Sequence, residues 1–103
     1  MTQPESALSR KILKVLNEDP HIFAFKVHGS EYMMAGLPDI VACVDGQFIG
    51  FETKMPNKRS NVSPRQKYVH QLIENASGKS WVICSVNEAL HHVQSLRSNR
   101  GII

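Results

Sequence analysis

The chain has 103 residues, 42% of them hydrophobic and 20% charged, with a net charge of +3. That size and mix describe a single domain over residues 1–103 with one core, and they exclude a disordered chain. No apolar run is long enough to span a membrane, and MTQPESALSRK at the start lacks the apolar centre of a secretory signal.

Leu8, Ile12, Val15 and Leu16 recur at helical spacing and predict a helix over 3–18, with Thr2 and Glu5 placed as a capping box. Asp19-Pro20 stops it. The alternating, aromatic IFAFKVH (22–28) predicts a strand, and GSEYMMAG (29–36) a loop, whose Met33-Met34 pair reads as core or dimer contact. PDIVACV (38–44) and QFIGFETK (47–54) then read as two strands joined at Asp45-Gly46, a strong hairpin signal. A polar, basic loop follows over 55–62. Ser63-Pro64 opens a second helix with Val69, Leu72, Ile73 and Ala76 on one face, ending at Gly78. SWVICS (80–85) is a fourth strand, and Asn87 to about Ser98 a third helix. The second and third strands are apolar on both faces, which predicts a sheet covered by helices on both sides. Cys43 and Cys84 sit in apolar runs, far apart in sequence, and read as reduced, buried thiols of a cytoplasmic protein.

A two-residue turn at Asp45-Gly46 sets Val44 against Gln47, Val41 against Gly50 and Asp39 against Glu52. Directly opposed side chains stand about 5 Å apart at Cβ, so two carboxylates meet at the open end of the hairpin. Lys54, two residues after Glu52, shares its face. Glu5 and Gln66 lie on the apolar stripes of the first and second helices, where a polar side chain calls for a buried partner. Such a cluster suits a hard divalent cation, which takes carboxylate oxygens, water and substrate phosphate, and activates water for phosphodiester hydrolysis. Plainer roles exist for each residue. Lys54 can simply pair with Glu52, Glu5 can serve only its cap, and Gln66 can serve only the box Ser63-x-x-Gln66. A longer turn would shift the register.

With these motifs, GLPDIVACVDGQFIGFETK followed by SPRQKYV, the chain resembles the PD-(D/E)xK nuclease superfamily and, more narrowly, its VRR-NUC (virus-type replication-repair nuclease) family. The match runs from Glu5 to about Ala89, and no core motif position departs from the pattern. The resemblance implies a restriction-endonuclease-like αβββαβ core, a central mixed sheet flanked by helices, and DNA cleavage dependent on Mg²⁺ or Mn²⁺. It implies metal ligation by Asp39, Glu52, the Thr53 carbonyl and Glu5. Lys54 would position the attacking water or stabilise the phosphate, Gln66 would contact Lys54, water or phosphate, and Lys26 would add a cation near the phosphate. Small stand-alone forms of this family occur in phages and bacteria.

Between Thr53 and Ile73 there are Lys54, Lys58, Arg59, Arg65 and Lys67 and no acid. This segment is the expected DNA backbone contact, which gives affinity without sequence information. No recognition helix or zinc finger is present, and the five histidines have no ligand spacing, so structure-selective cleavage of branched, flapped or Holliday-junction-like DNA is the expectation. Symmetric cutting of two strands needs two sites, hence a homodimer. No small-molecule cofactor is expected. A non-catalytic DNA-binding module on the same fold is the alternative.

Overall fold

A computed structural model describes residues 4–100. The elements run α1 (Pro4–Asn17), β1 (Ile22–Lys26), β2 (Ile40–Val44), β3 (Gln47–Thr53), a single 3₁₀ turn (Pro56–Lys58), α2 (Pro64–Asn75), β4 (Lys79–Ile83) and α3 (Val86–Asn99). The chain is α/β, with a four-stranded mixed sheet in the order β1-β2-β3-β4. The first three strands form an antiparallel meander, and α2 carries the chain across to β4, parallel to β3. This is the element order and sheet type expected from the sequence. The Thr2 half of the expected α1 cap lies outside the described residues. Among them, no helix is long and apolar enough to cross a membrane.

Asp45 and Gly46 both adopt positive φ, 51° and 86°, as a two-residue hairpin turn of matching twist demands. The register is the expected one, with Val44 opposite Gln47, Val41 opposite Gly50 and Ile40 opposite Phe51. β1 and β2 are shorter than their apolar runs. Pro38 has no N–H to give a ladder, although the Val27 amide still donates to the Asp39 carbonyl at 2.7 Å. Helix α2 ends one residue earlier than the glycine suggests. Ser77, not Gly78, takes the left-handed conformation (φ 72°), and the Gly78 amide closes the cap by donating to the Ile73 carbonyl at 2.9 Å. Gly78 is needed for space, because a Cβ there would lie 2.8 Å from both Ile73 Cγ2 and the Phe48 carbonyl oxygen.

The core fills one face of the sheet, where Ile12 and Leu16 of α1 and Val93 and Leu96 of α3 pack on Ile40, Ile49 and Phe51. On the other face, α2 covers only the β3–β4 half through Val69 and Ile73. Expected coverage on both sides is therefore half met. Cys43, read as buried, is exposed because no helix reaches its part of the sheet, and Cys84 is only partly covered. Met33 and Met34 are likewise exposed rather than core. His92 stacks on Trp81 at 4.2 Å between ring centroids, a packing role on the α3 side.

Arg97 fastens the far end of the sheet. It forks onto Asp45, Nε to Oδ2 at 2.7 Å and Nη2 to Oδ1 at 3.1 Å, and its Nη1 donates to Asp19 Oδ2 at 2.7 Å. One side chain thus ties α3 to the hairpin turn and to the α1–β1 connection. The Arg97 hydrogen bonds hold both carboxyls below the ordinary Asp value of 3.8. Acids depressed in the folded state stabilise it above their unfolded value, and that contribution is lost as pH falls through the folded one. Arg97→Ala should lower unfolding free energy at pH 7 by about 1–2 kcal/mol, the group being partly exposed. In urea titrations the gap between variant and parent should close as the pH drops below 3.8.

Candidate active site

The open end of the β2–β3 hairpin collects the expected residues. Asp39 is set there by its neighbour: Pro38 is buried and lies across β3 at Gly50, where a Cβ would come within 2.6 Å of Pro38 Cγ. Gly50 has no side chain, so the Pro38-Asp39 turn can sit down on the sheet. The segment before it is docked to α2. Gly36 (φ 87°) lies so close that a Cβ would meet the Arg65 carbonyl oxygen at 2.7 Å, and Arg65 Nε donates to the Ala35 carbonyl at 3.3 Å.

The Asp39 carboxylate is held at Oδ2 by the Thr53 amide at 2.9 Å and the Thr53 hydroxyl at 2.5 Å. Since that hydroxyl donates to Asp39, Ser9 of α1 must donate to it in turn, across 3.0 Å. Lys26 Nζ stands 3.9 Å from Asp39 Oδ1. Sequence reasoning left the Lys26 register open and missed Ser9 altogether. A serine among apolar helix residues was the available signal, because it is fully buried and has to find a partner.

Glu52, one strand over, is 3% exposed. Its Oε2 accepts from Gln66 Nε2 at 3.0 Å and lies 3.7 Å from Lys54 Nζ. Its Oε1 is buried with no hydrogen-bond partner. Gln66 performs both roles that the sequence left open: its Oε1 accepts from the Ser63 amide at 2.9 Å, closing the capping box, while its Nε2 reaches Glu52. The two carboxylates are thus not a bare opposed pair. Each has its own set of partners, Asp39 on Thr53 and Lys26, Glu52 on Gln66 and Lys54. Burial, then the nearby Asp39 charge, push the Glu52 carboxyl up to about 7 against the pull of Lys54.

A cavity of about 410 Å³ opens at Asp39, lined by Glu5, Lys26, Thr53, Met55 and Lys58. It brings Glu5 and Lys58 to the acid as expected. Among the described residues, no three His, Cys, Asp or Glu side chains converge on one point, so Glu5 borders the cavity without joining Asp39 and Glu52 as a third ligand. Of the other expected contacts, Arg65 and Lys67 are exposed on α2, with Arg65 over the Tyr68 ring at 5.3 Å. Arg59 is engaged elsewhere, donating to Glu88 at 2.8 Å and holding the loop to α3. The chemistry of these donors suits a divalent cation, although the cavity at Asp39 is not itself lined by Glu52, Lys54 or Gln66. Two carboxylates supply hard oxygens, and the partnerless Glu52 Oε1 is a buried acceptor in need of a positive neighbour.

Compared with family models, curated proteins and solved structures, the chain has no match.

Two outcomes follow from this geometry. Gly50→Ala forces Pro38 off β3 and should cost about 1–3 kcal/mol, read by urea unfolding. For Glu52, the folded state keeps a proton that the unfolded chain has already released, so stability falls as pH rises from 4.5 to about 7. Glu52→Gln removes that fall. In EDTA it should be more stable than the parent by about 1–3 kcal/mol at pH 8, with the gain vanishing below pH 4.5.

Proposed function

We propose that the chain is a Mg²⁺-dependent endodeoxyribonuclease of the PD-(D/E)xK type, resembling the VRR-NUC family and acting on branched, flapped or Holliday-junction-like DNA. The observation that carries this reading is the buried Glu52 with one oxygen unsatisfied, next to a second carboxylate and a lysine. A carboxylate buried there is costly unless a proton or a cation stands beside it, and a bound ion would relieve that cost.

Asp39, Glu52 and the Thr53 carbonyl would hold the ion, with Glu5 reaching it through water from across the cavity. Bound there, Mg²⁺ would lower the pKa of water and stabilise charge on the phosphate oxygens, and Mn²⁺ would substitute. Thr53 and Ser9 fix the Asp39 carboxylate, and Gln66 fixes Glu52, so both acids are oriented before substrate arrives. Lys54, beside Glu52, would orient the attacking water and neutralise charge on the phosphate. In the hydrolysis the water oxygen bonds to phosphorus and one ester P–O bond breaks; the attacking water gives up a proton to solvent and the departing oxygen takes one from solvent, leaving a phosphate monoester and a free hydroxyl. Lys26 and Lys58, beside the cavity, would meet the scissile phosphate, while Arg65 and Lys67 would track the strand along α2. Arg59, half exposed and paired with Glu88, would join that contact by exchanging the carboxylate for a phosphate.

A non-catalytic DNA-binding module has one observation in its favour: each carboxylate already has partners inside the chain. Nicking assays on duplex, flap and four-way substrates separate the two. Cleavage should require Mg²⁺ or Mn²⁺ and stop in EDTA. Asp39→Ala and Lys54→Ala should each lower the rate at least a hundredfold, roughly the worth of one positioned catalytic group, while DNA binding persists. Cleavage at the parent rate in either variant, or binding with no cleavage on any substrate, refutes the nuclease reading. Two cuts on opposing strands need two such sites, so a homodimer belongs to this proposal.

A further inference from the structure

The half of the sheet that α2 leaves bare is apolar. Phe23, Cys43 and Phe48 are paired directly across β1, β2 and β3, so they share that face, and Phe25 follows on the next rung. The Phe23 and Phe25 rings stand 5.8 Å apart and form a ridge along the edge strand. On the other side of Cys43, between β3 and α2, runs a groove of about 360 Å³ lined by Met34, Leu37, Phe48, Leu72, Ile73 and Ala76.

We propose that this face binds a second copy of the chain, with the Phe23–Phe25 ridge of each protomer seated in the Phe48–Leu72 groove of the other. Ridge and groove flank β2 on a single face. A twofold axis lying in the interface, along β2 over Cys43, exchanges them, which is the self-complementarity that a closed dimer requires. The area fits. Phe23 is 67% exposed, Phe25 46%, Phe48 48%, Met34 45% and Leu72 38%. At roughly 200 Å² per large apolar side chain, they offer on the order of 500 Å². That is as large as the largest patch on a typical monomer, and it supplies most of the ~800 Å² that each partner brings to a stable interface. Nucleic acid suits this groove less well, because no lysine or arginine lines it to meet a phosphate.

The inference deepens the nuclease reading by naming where its two chains would join. Its test measures mass rather than cleavage, so the two proposals fail separately. Light scattering on the full chain at micromolar concentration should give the mass of a dimer. Phe23→Glu and Leu72→Lys, one on the ridge and one on the groove wall, should each weaken association at least tenfold with the far-UV circular dichroism unchanged. Should Phe23→Glu fail to fold, Leu72→Lys decides. In a Cys84→Ser background, a short bis-maleimide should join two chains through Cys43, and Cys43→Ser should abolish the cross-link. A monomeric parent, a dimer that survives both substitutions at parental strength, or cross-linking without Cys43 overturns the proposal.

Discussion

Burying a carboxylate without satisfying it is the constraint around which this fold is arranged. Glu52 lies near the end of an interior strand, under the N-terminus of α2, with one oxygen bonded and the other without a partner. Water would have hydrated both oxygens. The protein substitutes Gln66, the Lys54 ammonium and a second acid, and the second acid works against it. Burial raises the affinity of Glu52 for a proton, and the packing around it keeps it from swinging out to solvent.

The supports are economical, since several residues serve the scaffold and the site at once. Gln66 closes the cap of α2 with its oxygen and holds Glu52 with its nitrogen, so helix start and acid position are set by one side chain. Thr53 ends β3 and grips Asp39 through both amide and hydroxyl, while Ser9 ties the same hydroxyl to α1. Gly50 contributes by having no side chain, which lets Pro38 lie flat and brings Asp39 to the strand end. Helices on opposite faces of the sheet therefore converge on one edge, and a shift in either would move an acid.

Small size has its consequence at the opposite face. Three helices cannot cover both sides of a four-stranded sheet. α1 and α3 seal the core side, and α2 reaches only half of the other. The remainder leaves phenylalanines in water, a state that association with a second chain would relieve. At the far end, Arg97 draws the hairpin turn, the α1–β1 connection and α3 together through charge.

Local rules in the sequence determined the elements and the hairpin. Asp-Gly forces positive φ at two adjacent residues, and that alone fixes which residue of β2 opposes which of β3 as far as Ile40 and Phe51. The motif from Pro38 to Lys54 marked the site for the same reason, because spacing along a paired strand is distance in space. Contacts between distant elements were decided only by the tertiary structure. Ser9 on Thr53, Lys26 beside Asp39 and Arg59 on Glu88 depend on how helices and loops settle on the sheet, and no residue's local preference encodes that. Cys43 shows the limit most plainly: an apolar strand residue reads the same whether a helix covers it or not, and coverage is a property of the whole packing.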